Sequence, residues 1–301
     1  MKKLALALLA ALSAVPARAA LSAADFQVFS LGSIRYARSD FEGRAGAAGD
    51  ARFKDFSLGA KEERGAATLI VGGSAQLSDG SVLRGGVRAG AGAVLTRVDV
   101  HGAVVEASGD AAQLAGVCRE LLAASDRLAA LPADASESWD GGLVLAARPG
   151  AARTLVRLSA ERLGEARVVV LRVDAGAVLV VDVTGSRAGL ANAELRREGE
   201  GAIVFNFAGA RELELTGVAV PGVILAPRAA TRFVSGRIDG RLYVGGLEGD
   251  GQVNEAGASA LSAALASSGG AEVSVSRARL PELSALSDRL SEERARFDGA
   301  R

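Results

Sequence analysis

Alternation of apolar and polar residues dominates the second half of the chain. In Arg211–Thr216, Leu213 and Leu215 alternate with Glu212 and Glu214. In Arg237–Val244 the even positions are Ile238, Gly240, Leu242 and Val244, and the odd ones are Arg237, Asp239, Arg241 and Tyr243. Successive side chains of a strand point to opposite sides, so each stretch predicts a strand with one dry and one wet face. Ala202–Phe207 groups Ile203, Phe205 and Phe207 on one side. Thr68–Val71, Gly222–Ala226 and Ala93–Val100, the last with Val94, Val98 and Val100 together, add further short strands. Arg167–Val173 and Ala177–Val183 are unbroken runs rich in Val and Leu, which predicts strands covered on both sides.

One segment follows a different period. In Asp110–Leu131, Leu114, Val117, Cys118, Leu121, Leu122, Ser125 and Leu128 recur at helical spacing, with Asp110 placed to cap the start and Pro132 to stop the end. A stripe of this kind has to lie on something, and the β body is what the chain offers. After Ala256 a small-residue stretch reads as a linker or weak helix. Leu280, Leu283, Leu286, Leu290 and Phe297 then predict a charged C-terminal helix, free to pack on the body or to bind a partner.

Two all-β architectures fit such strands. A sandwich needs hairpins, and Asp79-Gly80 and Asp239-Gly240 are the turn-like pairs, but the second falls inside an alternating run. A solenoid needs aliphatic inward positions, small corner residues and few aromatics. Glycine is 38 of 301 residues and aromatics are 4%, so the expected fold is mainly β, an irregular right-handed β-solenoid (β-helix) with one long amphipathic helix alongside. No fixed repeat length is visible, so the coils are expected to be uneven.

The expected organisation is a secretory signal over residues 1–19, a β-solenoid domain over 20–255 containing the helix at 110–131, and a linker and helix over 256–301. Lys2 and Lys3, the apolar Leu4–Val15 and the small residues of Ala17-Arg18-Ala19 have the three-part pattern of an export signal, with cleavage expected after Ala19. Loss of Lys2, Lys3 and Arg18 leaves 32 basic residues against 35 acidic, a formal charge of −3. A near-neutral mature chain points to no nucleic acid partner. The apolar run is too short to span a bilayer, and no stable membrane insertion is expected. A single cysteine, Cys118, allows no internal disulfide, and its place on the helical stripe predicts a buried, inert thiol.

Reactive chemistry is sparse. His101 is the one histidine, no G-x-S-x-G elbow is present, and zinc lacks ligands, so no catalytic, cofactor or metal residue is assigned. Glu248-Gly249-Asp250-Gly251 reads as a solvated turn, not a calcium loop. GGVRAGAG at 85–92 reads as corners, not a phosphate loop. Asp40, Glu42 and Arg44 read as structural ion pairs or turn bonds, Asn206 as a hydrogen-bonding residue inside the stack, and Trp139 as either a sugar-stacking platform or a loop cover.

Certain stretches resemble the choice-of-anchor A family of exported, adhesive bacterial proteins. They are DFQVFSLGSI, then SDFEGRAGAAGDARF with Asp40, Glu42, Gly43 and Arg44, then TLIVGGSAQLSDGSV with Gly72 and Gly73. VLVVDVTG, AIVFNFAGA with Asn206, GVILAPRAA with Leu225, Ala226 and Pro227, GRIDGRLYVGG and GDGQVN complete the series, which runs from about Ala24 to Asn254. The resemblance implies a β-solenoid flanked by a long helix, akin to ice-binding-type folds, with these residues in structural roles, and display at a surface.

The function expected is a secreted or surface-held, non-catalytic adhesive module that binds an extracellular or cell-surface polymer, polysaccharide or protein, through broad strand faces. A polysaccharide lyase is the alternative, with Arg237 and Arg241 on outer faces, although a convincing base is missing. Ice binding is the third reading. Its usual mark is ranked threonines, and the six here, at 68, 96, 154, 184, 216 and 231, never form T-x-T.

Overall fold

A computed structural model describes residues 20–62, 65–139, 142–255 and 260–266. The export signal and the helix expected at 280–297 lie outside the described residues.

The first arm of the chain forms β1 (Val28–Ser30), β2 (Ile34–Phe41), β3 (Ala45–Ala47), β4 (Ala51–Leu58), β5 (Ala67–Val71), β6 (Ala75–Val82), β7 (Gly86–Ala89), β8 (Ala93–Val100) and β9 (Val104–Glu106). Helix α1 (Asp110–Ala130) follows. The return arm forms β10 (Ser138–Trp139), β11 (Leu143–Ala146), β12 (Arg153–Ser159), helix α2 (Ala160–Glu165), β13 (Val168–Arg172), β14 (Val178–Thr184), β15 (Arg187–Ala191) and β16 (Glu194–Glu198). It ends with β17 (Ala202–Asn206), β18 (Glu212–Thr216), β19 (Ala219–Val234), β20 (Arg237–Gly249), β21 (Gln252–Asn254) and helix α3 (Ala260–Ala266).

Strand pairing is parallel throughout these elements except between β10 and β11, which are antiparallel. Parallel stacking of successive turns is the solenoid pattern, and the hairpins of a sandwich are not what the chain makes. Each coil has three faces. The first runs β12-β14-β17-β19-β20-β1-β3-β5-β7-β9. The second runs through β15, β18, the later parts of β19 and β20, and the first halves of β2, β4, β6 and β8. The third holds the second halves of β2, β4, β6 and β8, the starts of β19 and β20, and β21, with β11, β13 and β16 as a separate small sheet.

The stacking order is not the chain order. β1 lies between β3 and β20, so the first coil occupies the middle of the stack. The first arm builds outward from it in one direction. Helix α1 then carries the chain back along the stack, and the return arm closes onto β1 from the other side.

One corner, between the second and third faces, is turned by single residues in the left-handed conformation. Arg38, Asp55, Asp79, Arg97, Asn192 and Ser235 have φ between 52° and 56°. Such a residue costs on the order of 1 kcal/mol and is retained where the surrounding stack fixes it. Along the first arm these corners recur after 17, 24 and 18 residues, which is the uneven coil length expected from the sequence. Arg97 also explains Val94. The bend aims Val98 and Val100 inward, while Val94, on the preceding face, points out and is 65% exposed. Elsewhere the corners need glycine because backbones approach closely: a Cβ on Gly240 would sit 1.9 Å from the Gly222 carbonyl oxygen.

The interior is a single aliphatic and aromatic core that includes Ile203, Phe205 and Phe207. A second apolar layer lies between the first face and α1. It joins Phe26, Phe29, Ile70, Val180, Val204 and Leu225 to Leu114, Val117, Leu121 and Leu128. The run Ala177–Val183 is therefore covered on both sides in β14, where Val178 to Val183 are all buried, whereas the run Arg167–Val173 forms β13 of the small sheet, with Val169 and Leu171 in the core, Val168 half-buried and Arg172 exposed.

Candidate functional site

In-register pairing lines up the outward residues of each face in columns. On the first face the column reads Arg157, Asp182, Asn206, Leu225, Tyr243, Phe29, Gly46, Ile70, Arg88 and Val105. From Arg157 to Arg88 are eight steps, about 38 Å at ~4.8 Å each. Helix α1, with 21 residues, is about 31 Å long. Long side chains make up the difference at both ends. Arg88 forms a buried ion pair with Asp110, the first helical residue. Asp110 is thus not the cap that the sequence pattern implied; Gly109 holds that position. At the other end, Arg157 Nη2 donates to the carbonyls of Ala129 and Leu131 at 2.7 and 2.8 Å, while its Nε meets Asp182 at 2.7 Å. A carboxylate at the helix start and a guanidinium at its end both favour the helix dipole.

Asn206 belongs to this clamp. Its Nδ2 donates to Asp182 at 2.8 Å and to the Ser125 carbonyl at 3.1 Å, and its Oδ1 accepts from the Ser125 hydroxyl at 2.7 Å. Its partners span strand and helix, not a ladder of identical residues. Arg241 is also inward. It is 6% exposed, and its Nη1 donates to the carbonyls of Ala24 and Phe26 at 2.7 and 2.6 Å. Tyr243 adds its hydroxyl to the same N-terminal segment, 3.0 Å from the Ala23 carbonyl. The wet face expected for Arg237–Val244 therefore holds only as far as the bend at Gly240, after which the odd positions meet the N-terminal segment. Arg237 stays outside, paired with Asp239 at 3.0 Å.

The motif residues take up separate corners. Asp40 is exposed at the end of β2. Glu42 pairs with Lys61 at 2.7 Å and accepts from the Glu255 amide at 2.7 Å. The Gly43 amide donates to Gln27 at 2.6 Å, and Arg44 meets Glu62 at 2.9 Å and the Ala67 carbonyl at 2.7 Å. Gly72 and Gly73 make another corner, where an added Cβ would lie 2.3 Å from the Ala48 carbonyl oxygen and 2.2 Å from Asp50 Oδ1. Leu225 faces α1, Ala226 faces the interior, and Pro227 is buried where the chain leaves the first face.

Among the described residues no group of three or more His, Cys, Asp or Glu could hold a metal. His101 is half exposed and bonded to Asp99 at 2.9 Å. Asp250 binds the Ser235 amide at 2.9 Å and Arg38 at 3.2 Å, so the acidic glycine cluster is a corner. Burial pushes the Cys118 thiol up to about 12. Burial likewise raises the Tyr36 and Tyr243 phenols above their usual range. A hollow of about 30 Å³ beside Glu120, Leu121 and Tyr243 has room for about one water. Trp139 is 55% exposed, with the Arg162 guanidinium 4.9 Å from its ring centre.

From β18 onward the second face carries no covering helix among the described residues. Its outward column reads Glu214, Arg232, Glu248, Arg35, Arg52, Gln76 and Val94. Six steps at ~4.8 Å make a row of about 29 Å at regular spacing. Arg232 pairs with Glu214 at 3.1 Å, and Arg52 donates to Gln76 at 2.6 and 3.0 Å. Alternating polar and inward apolar residues give the local signal of this face, but its length depends on stacking order and cannot be read from any one strand.

Residues 19–255 match the family model described as "Putative Ice-binding-like adhesive domain". No curated protein matches the chain. Among solved structures, an ice-binding protein from the Antarctic ascomycete Antarctomyces psychrotrophicus is 10% identical, with a TM-score of 0.38, covering 77% of this chain and 92% of that one. An ice-binding protein from an Antarctic bacterium of the Flavobacteriaceae is 12% identical, with a TM-score of 0.30, covering 77% and 80% respectively.

Proposed function

Since the chain belongs to the ice-binding-like adhesive domain family, we propose that it is an exported, non-catalytic adhesive module. It holds an extracellular or cell-surface polymer along the second face of its solenoid. The observation that carries this reading is the uncovered row from Glu214 to Gln76, six coils long, in which Glu214, Arg232, Glu248, Arg35 and Arg52 place charges about 4.8 Å apart over five of them. The first face is covered by α1 and α3 over most of its length, up to the β9 end. A rigid row of this kind contacts a polymer without ordering a loop, so little conformational entropy opposes binding. No helix among the described residues is long and apolar enough to cross a membrane.

Two observations weigh against the other readings. Thr68, Thr154 and Thr231 are buried, Thr216 is half-buried, and only Thr96 and Thr184 are exposed, so no rank of threonines lies on an outer face. Arg241, a candidate for neutralising an acidic sugar, is spent on backbone carbonyls. The test is to incubate the chain from Ala20 with isolated cell envelopes, acidic and neutral polysaccharides and matrix proteins. Retention on at least one, without turnover, is expected. Absence of retention on all of them, or eliminative cleavage of a uronate polymer, overturns the reading.

A further inference from the structure

The two ends of the stack are finished differently. At the β12 end, Ala135 bridges to Val156, the Asp134 amide donates to the Leu155 carbonyl at 2.8 Å, and the Leu155 amide donates to Asp134 Oδ2 at 3.0 Å. Helix α2 packs on β12 and β15 and covers the neighbouring edge. At the other end, β8 pairs only with β6 and β9 only with β7 among the described residues. Four of the five exposed large hydrophobics lie on this coil: Val94 at 65%, Leu95 at 37%, Val104 at 44% and Val105 at 46%. Leu95 extends the inward column of Tyr36, Phe53 and Leu77, so the core itself reaches the open end.

We infer that this end is a dimerisation surface, where the β8–β9 coils of two copies pair edge to edge about a two-fold axis. An open strand edge presents a row of backbone donors and acceptors that another strand satisfies. Here the edge turns through all three faces, over 93–96, 98–100 and 104–106. A lone added strand matches one face, whereas the end of another coil matches all three. The far end is largely covered by residues 134–135 on β12, by α2 and by the two-residue β10, so the matching three-faced surface is the same end of a second copy. That contact is isologous and ends at a dimer, not a filament. The charges permit it: Arg97 pairs with Asp79 and Asp99 is hydrogen-bonded to His101 within one copy, which leaves Glu106 as the one further carboxylate on β8 and β9. The left-handed bend at Arg97 does not blunt the edge either. Asp79 makes the same bend one coil below and pairing continues across it.

Sedimentation equilibrium of the chain from Ala20 to Arg301, between about 1 and 300 µM, tests this. Expected are a monomer–dimer equilibrium and amide protection of residues 93–106 that grows with concentration. The double variant Val94→Glu, Val105→Glu alters two exposed side chains and leaves the circular dichroism spectrum unchanged. It is expected to weaken dimerisation by roughly 100-fold or more. A monomer across the whole range overturns the inference, as does a dimer indifferent to the double variant. Protection of 93–106 that does not depend on concentration also overturns it, because another part of the same chain would then cover the edge.

Discussion

The first and second faces of the solenoid are made by the same coils, a single corner apart, and their outward columns differ completely. Leu225, Tyr243, Phe29 and Ile70 line one and are buried beneath α1. Glu214, Arg232, Glu248 and Arg52 line the other and are exposed. Inward residues are alike on both, so coil formation does not depend on the outward choice. The difference shows that the outward column is free to be assigned. An apolar column recruits a covering helix, and a charged one is left for contact with something else.

The comparison is broken most severely where charge meets burial. Arg88→Ala leaves Asp110 in the buried layer without its guanidinium, and a loss of about 3–5 kcal/mol is expected in urea unfolding. Leu121→Ala removes apolar packing between α1 and the first face and is expected to cost about 2–4 kcal/mol by the same measurement. Alkali acts on the covered side as well. Cys118 ionises more readily in the unfolded chain than on the buried side of α1, so its contribution is intact below about pH 9 and is lost as pH rises toward 12. The melting temperature is expected to fall over that window. At pH 8 a thiol reagent is expected to label Cys118 at least roughly 100 times more slowly in the native protein than in urea. On the uncovered face, Arg232→Gln is expected to change stability by less than about 0.5 kcal/mol, since its pair with Glu214 is exposed. A large loss there would erase the distinction between the faces.

Much of this contrast is written locally. Continuous Val/Leu in Val178–Val183 marked a strand covered twice, and alternation in Glu212–Thr216 marked one covered once. The stripe of α1 was legible to within a residue of its end. Coil order was not, because β1 finds its place between β3 and β20 through register with residues more than 200 positions away, and no local pattern encodes that. Arg241 misled for the same reason. Its polarity promised solvent, but carbonyls at 24 and 26, brought over by the inserted first coil, take its hydrogens. Asn206 was marked as a hydrogen-bonding residue, while its partner Ser125 lay in an element with a different period.

Retention on isolated cell envelopes, with wild type beside the double variant Arg52→Gln, Arg232→Gln, reads the role of the second face most directly. At least tenfold weaker retention with an unchanged melting temperature is the outcome expected of a contact surface. Undiminished retention by the folded variant would place adhesion elsewhere on the molecule and contradict the account.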